Sequence, residues 1–169
     1  MQPFKLSDEY FIAVGRLTTA WTGVEVPLDF VCGVLYERAG GKEIPGESEV
    51  PTSLSRKIKF CRKCFNKLDV VKEIGKTATP LLDKTALLGP ERHRVTHGAP
   101  DVFTPVKDGT IIMRKVLYEK TRHGVEETTT SIPQIRNIAE QALALGNAYW
   151  LLVTELRQQF GIALEKLPE

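Results

Sequence analysis

The sequence predicts a mainly α-helical protein, an antiparallel bundle of four to five helices with a small antiparallel β-meander, at about residues 101–130, inserted before the last long helix. Three observations lead there. Two long stretches carry apolar residues at alternating steps of three and four, which turns one face of a helix toward a core. Between them, β-branched and polar residues alternate around "KDGT" and "TRHG", as in strands joined by tight turns. The 169 residues, 42% of them hydrophobic, suit one compact core, so residues 1–169 read as a single domain.

The first stripe runs Val14, Leu17, Trp21, Val24, Leu28, Val31, Leu35. Ser7, with Asp8 and Glu9 behind it, supplies a helix start, and "AGG" at 39–41 a stop. Pro27 lies inside this helix, where it removes an amide donor and crowds the carbonyl of Gly23, so a kink is expected there and not an end. Residues 40–52, "GGKEIPGESEVPT", have no apolar period and read as a loop. A second, shorter helix follows, with Leu54, Ile58, Cys61, Phe65 and Leu68 on one side. Arg56, Lys57, Lys59, Arg62, Lys63 and Lys67 fill its other side, with no acid among them.

A third helix is expected to open with Thr79 as cap and Pro80 at its first position, to be interrupted at Gly89 and Pro90, and to close at Gly98. The meander is then read as "DVFTPV", the "KDGT" turn, "IIMRKVLYEK", the "TRHG" turn and "VEETTT". In the last helix Ser131 stands three residues before Gln134, the spacing of a capping box, and Ile135, Ile138, Ala142, Leu145, Tyr149, Leu152 and Leu156 form the clearest stripe in the chain.

Composition excludes several classes. The 23 Lys and Arg against 21 Asp and Glu leave a formal charge of +2, too little for a dedicated polyanion binder, so any nucleic-acid affinity depends on where the cations gather. No apolar run reaches the roughly 18 to 20 residues of a membrane span, and "MQPFKLSDEYF" lacks the apolar core of a secretion signal. A soluble, cytoplasmic protein without a membrane partner is the expectation. Cys32, Cys61 and Cys64 make an odd count that suits reduced thiols. "CRKC" is a lone CxxC without the second pair that zinc would need, so Cys61 and Cys64 are read as core thiols and no metal site is expected. No P-loop, GxSxG, HExxH or Rossmann spacing occurs, and no cofactor is expected. His123 reads as an exposed turn residue, and Trp21, Tyr149 and Trp150 as core or subunit interface.

One stretch resists a purely structural reading: "ERHRVTHG", Glu91 to Gly98. On a helical projection Arg92 falls with Leu81, Leu88 and Val95, on the apolar side. A guanidinium there must be paired or must line a cleft, because burying it alone costs several kcal/mol. Glu25, on the flank of the first stripe, is the candidate partner within the fold, and a phosphate is the other candidate. His97 lies at the helix end, five residues on, about 140° around an ideal helix from Arg92.

Arg92, the polar His93, three further residues and His97 resemble the R-polar-X3-H signature of HEPN domains, compact helical bundles many of which are metal-independent endoribonucleases. The trailing Gly98, the preceding helix and "WTGVEVPLD" in the first helix are similar to one bacterial branch of that superfamily. The resemblance implies RNA cleavage through the 2'-hydroxyl, with His97 as acid–base group, Arg92 as donor to the phosphate and His93 orienting either. It further implies a homodimer that pairs two copies of the motif, and a toxin or defence component with an antitoxin or regulatory partner. Lys59, Arg62 and Lys63 would attract the RNA backbone, or would form no more than a solvated face. The competing reading is a helical dimerisation or RNA- or nucleotide-binding module without turnover, and a scaffold whose Arg92 to Glu25 pair is purely structural is the third.

Overall fold

A computed structural model describes residues 6–104, 109–119 and 122–163. Among them are four α-helices, α1 (Asp8–Glu37), α2 (Leu54–Lys67), α3 (Lys72–His97) and α4 (Ile132–Phe160), with 3-10 turns at Gly41–Glu43 and Asp69–Val71. A three-stranded antiparallel sheet in the order β1 (Ala99–Pro100), β2 (Thr110–Glu119), β3 (Arg122–Ser131) precedes α4. The protein is therefore mainly helical with a small sheet before its last helix. No helix among the described residues is long and apolar enough to cross a membrane.

Helix starts follow the capping chemistry. The Ser7 hydroxyl accepts from the Tyr10 amide at 3.3 Å, and the Ser131 hydroxyl from the Gln134 amide at 3.4 Å. Each satisfies one of the amides that the first turn leaves over. Ser131 is also the last residue of β3, so strand and helix join without a loop. The stripe of α4 is buried at every expected position, Ile135 to Leu156, and a fully buried Leu or Ile contributes roughly 1.5–3 kcal/mol. In α1, Leu17 through Leu35 are buried as spaced, and the helix continues through Pro27.

Three expectations are corrected. α3 begins at Lys72, not at Thr79, and runs unbroken past Pro80, Gly89 and Pro90. Ile74, Ala78, Leu82, Thr85, Leu88 and Val95 give it one buried stripe. Each internal proline costs about 3 kcal/mol of helix propensity, and both proline rings sit on the exposed side, where they disturb no packing. Second, "DVFTPV" does not open the sheet: Ala99–Pro100 pair with Arg114 and Met113, while residues 101–104 are irregular and 105–108 lie outside the described residues. Third, the "TRHG" turn is shorter than expected. β3 already starts at Arg122, and His123 is a strand residue paired with Tyr118; its side chain lies outside the described ones.

The contacts gather into two units, Met1–Thr22 with Leu87–Leu143, and Gly23–Ala86 with Ala144–Glu169. In the second, a Cβ added at Gly146 would stand 2.8 Å from the Gly23 carbonyl oxygen, so α1 and α4 meet there backbone to backbone. Thr85 donates to the Leu81 carbonyl at 2.8 Å, which leaves its oxygen to accept from the buried Tyr149 hydroxyl, also at 2.8 Å. Burial pushes the Tyr149 phenol up. Cys32 and Cys61 are buried free thiols with sulfurs 3.4 Å apart. The bond to Cys32, then burial, pushes the Cys61 thiol up, and burial pushes Cys64 up to about 12. These are unreactive core thiols, as expected.

The first unit places the candidate site. Period-two alternation puts Ile111, Met113 and Lys115 of β2 on one face, and Met113 is buried against the end of α3, where a Cβ added at Gly98 would stand 3.2 Å from its Cε. The same Cβ would lie 2.5 Å from the Arg94 carbonyl oxygen. Gly98 thus serves close approach rather than a left-handed cap. Its amide bonds to that carbonyl at 3.0 Å, and the chain passes straight from the helix into β1.

Candidate functional site

Arg92, His93 and His97 all lie in the last two turns of α3. Arg92 is half-buried, and both histidines are exposed. The Arg92 guanidinium carbon stands 5.5 Å from the centroid of the buried Trp21 ring on α1, within range of a cation–π contact. Despite the angle that five residues impose on a helix that never breaks, Arg92 Nη1 reaches His97 Nε2 at 3.5 Å, the outer limit of a hydrogen bond. The length of the arginine side chain closes the gap, with no turn out of helical geometry. The His93 and His97 rings pack with centroids 4.5 Å apart and planes tilted by 38°.

A fourth group comes from the sheet. Lys115 Nζ lies 3.2 Å from His93 Nε2. Because Ala99 pairs with Arg114, the strand passes beside the helix terminus, and its inward residues fall on the last turns. Lysine and arginine side chains only donate, so a hydrogen bond from Lys115 requires the lone pair on His93 Nε2. Desolvation lowers the His93 pKa from the ordinary 6.5, and the charges of Lys115, His97 and Arg92 lower it further. A neutral imidazole at the surface beside two cations can accept a proton and leave the cations to hold an anion.

No protein-family model, curated protein or solved structure matches this chain. The local geometry therefore carries the functional reading.

Other residues singled out in the sequence fall elsewhere. Glu25 is a half-buried residue of α1, four positions beyond Trp21. Lys59, Arg62 and Lys63 lie on α2, in the other unit. Two of these three cations already have carboxylate partners, Asp83 for Arg62 and Glu47 for Lys63, each at 2.5 Å. Lys57 pairs with Asp29, and Arg56 with Glu49 at 3.2 Å. The acid missing from α2 itself is thus supplied by α1, α3 and the 40–52 loop, and Lys59 remains exposed.

Sequence reasoning missed Lys115 and Asp101. The alternation of "IIMRKV" was a usable signal for Lys115, since it assigns Met113 and Lys115 to one face. Asp101 is buried, accepts from the Phe103 amide at 2.8 Å and lies 3.1 Å from Arg114. A hydrogen bond from the Thr104 side chain, then the Phe103 amide, and the Arg114 charge beside it hold its carboxyl below the usual carboxylate range. It pins the chain where β1 ends. A recess of about 150 Å3 lined by Tyr10, Asp101, Thr110 and Ile111 adjoins this turn and includes none of Arg92, His93, His97 and Lys115.

Proposed function

We propose that this chain is a metal-independent endoribonuclease of HEPN type, a helical bundle that acts on RNA as a homodimer and serves as a cytoplasmic toxin or defence component. The observation that supports it is the meeting of Arg92 and His97 at an exposed helix end. His97 takes the proton of the 2'-hydroxyl, whose oxygen attacks the adjacent phosphorus, and the 5'-oxygen leaves with a proton from a second imidazole. Arg92 donates to the crowded phosphate oxygens, and His93 orients Arg92 or the phosphate. Two-fold pairing of the motif would supply the second imidazole from the other copy. Lys59, an exposed cation of α2, would attract the RNA backbone, with Arg62 and Lys63 contributing only what their carboxylates leave over.

A second reading has its own support. A half-buried Arg92 lying over Trp21 is what a structural arginine does, and a non-catalytic dimerisation or RNA- or nucleotide-binding module would keep it. Incubating the protein with single-stranded RNA in excess chelator separates the two. Products ending in cyclic phosphate that disappear in Arg92→Ala and His97→Ala support the nuclease; intact RNA with tight, salt-sensitive binding supports the module.

A further inference from the structure

The inserted hairpin brings a charge to the motif that the motif itself does not contain. Directly across the ladder from Lys115 stands Glu126, yet the ammonium lies on His93. Glu91 pairs with Arg94, and Asp101 and Glu127 pair with Arg114. Lys115, His93, His97 and Arg92 therefore form a continuous series of contacts, 3.2 Å between the first two, 4.5 Å between the two rings and 3.5 Å to the guanidinium. An ammonium has three donors, and His93 takes one of them. The donors that remain on the Lys115 ammonium, beside two exposed imidazoles, suit an anion that accepts from them.

We propose that Lys115 of β2 completes a phosphate subsite with Arg92, His93 and His97, and that its ligand is a phosphodiester of single-stranded RNA; the choice of RNA rests on the nuclease reading, whereas the subsite does not. Lys115 binds substrate and also positions His93, whose ring it holds through Nε2. The hairpin is then part of the binding surface and not a decoration on the helices.

The test uses a 2'-O-methyl oligoribonucleotide, which lacks the attacking hydroxyl, so binding is read without cleavage. Fluorescence anisotropy of the full chain should show Lys115→Met weakening binding about tenfold, the loss expected for one charge-assisted hydrogen bond, and reducing the salt slope by about 0.7, the value for one single-strand phosphate contact. Lys115→Arg should restore most of the affinity. In the same variants the His93 ring protons, followed by NMR between pH 5 and 8, should titrate at higher pH in Lys115→Met than in wild type. The groups facing His93 are Arg92 and His97 on its own helix and Lys115 from the strand, with Glu126 behind it. A Lys115→Met variant with wild-type affinity and salt slope overturns the proposal. So does a wild-type protein that does not bind the strand, or a His93 titration that stays in place when Lys115 is removed. Lys115-dependent binding without any cleavage of ordinary RNA would keep the subsite and sink the nuclease.

Discussion

Along α2, Arg56, Lys57, Arg62 and Lys63 each face a carboxylate from another segment, Glu49, Asp29, Asp83 and Glu47. At the end of α3, Lys115 and Arg92 each reach an exposed imidazole, His93 and His97, whose rings pack against one another. The first arrangement settles its charge inside the fold, and an incoming polyanion would have to compete with carboxylates already in place. The second brings a lysine from the sheet and an arginine from the helix against two exposed imidazoles. Density of Lys and Arg in the sequence favours α2, whereas the contacts of Lys115 and Arg92 with imidazoles arise only in the folded chain.

The largest effect should come from the motif. His97→Ala and Arg92→Ala are expected to lower RNA cleavage in chelator by about 10²- to 10⁴-fold, the range for loss of a general acid–base group, while Lys59→Ala at saturating RNA should change it less than about threefold. Equal losses in all three variants would erase the contrast between the helices. Next comes the junction that brings Lys115 to the motif. Gly98→Ala forces a Cβ to within 2.5 Å of the Arg94 carbonyl oxygen and should cost about 1–3 kcal/mol in urea denaturation. An unchanged midpoint would mean that β2 and the helix end are not tightly joined.

A smaller effect tests the α2 pairs. Lys63→Ala leaves Glu47, whose side chain is only 10% exposed, without its cation, and should destabilise by up to about 1 kcal/mol, against about 0.5 or less for Arg62→Ala. If Lys63→Ala proves as mild as Lys59→Ala, these pairs are not what settles the charge of α2. The smallest effect is the pH dependence of His93. With its folded pKa below 6.5, the unfolded chain binds the proton more readily, so stability should fall as pH drops through 6.5 and recover above it. Urea midpoints measured from pH 7.5 to pH 5 should show this decline, and it should be shallower in Lys115→Met. A midpoint that rises on acidification would reverse the sign and remove the crowding of cations around His93.

Much of the helical frame was readable because burial repeats with the helix period. Every stripe position from Ile135 to Leu156 is buried, and Ser7 and Ser131 cap as their spacing indicates. α3 was misread for a physical reason: Thr79–Pro80 and Gly89–Pro90 are strong local stop and start signals, and local signals lose when a stripe from Ile74 to Val95 can be buried by continuing. A reader who extended the spacing back from Leu82 through Ala78 to Ile74 would have found the true start. The strand at Ala99–Pro100 carried no signal, since two residues next to a helix end have no period to read. Of the site, Arg92, His93 and His97 could be named from one short motif. Their contact could not, because an ideal helix separates residues five apart and only the reach of the arginine side chain brings the groups together.

By itself the sequence determined which faces are apolar, where most helices run and which three residues form the motif, because these follow from local periodicity and side-chain type. Only the tertiary structure decided that the cations of α2 meet carboxylates, that Lys115 arrives beside His93, and that His97 faces a guanidinium. Those outcomes depend on which distant segments come within about 4 Å, the range at which charges and hydrogen bonds act, and no spacing along the chain encodes that distance.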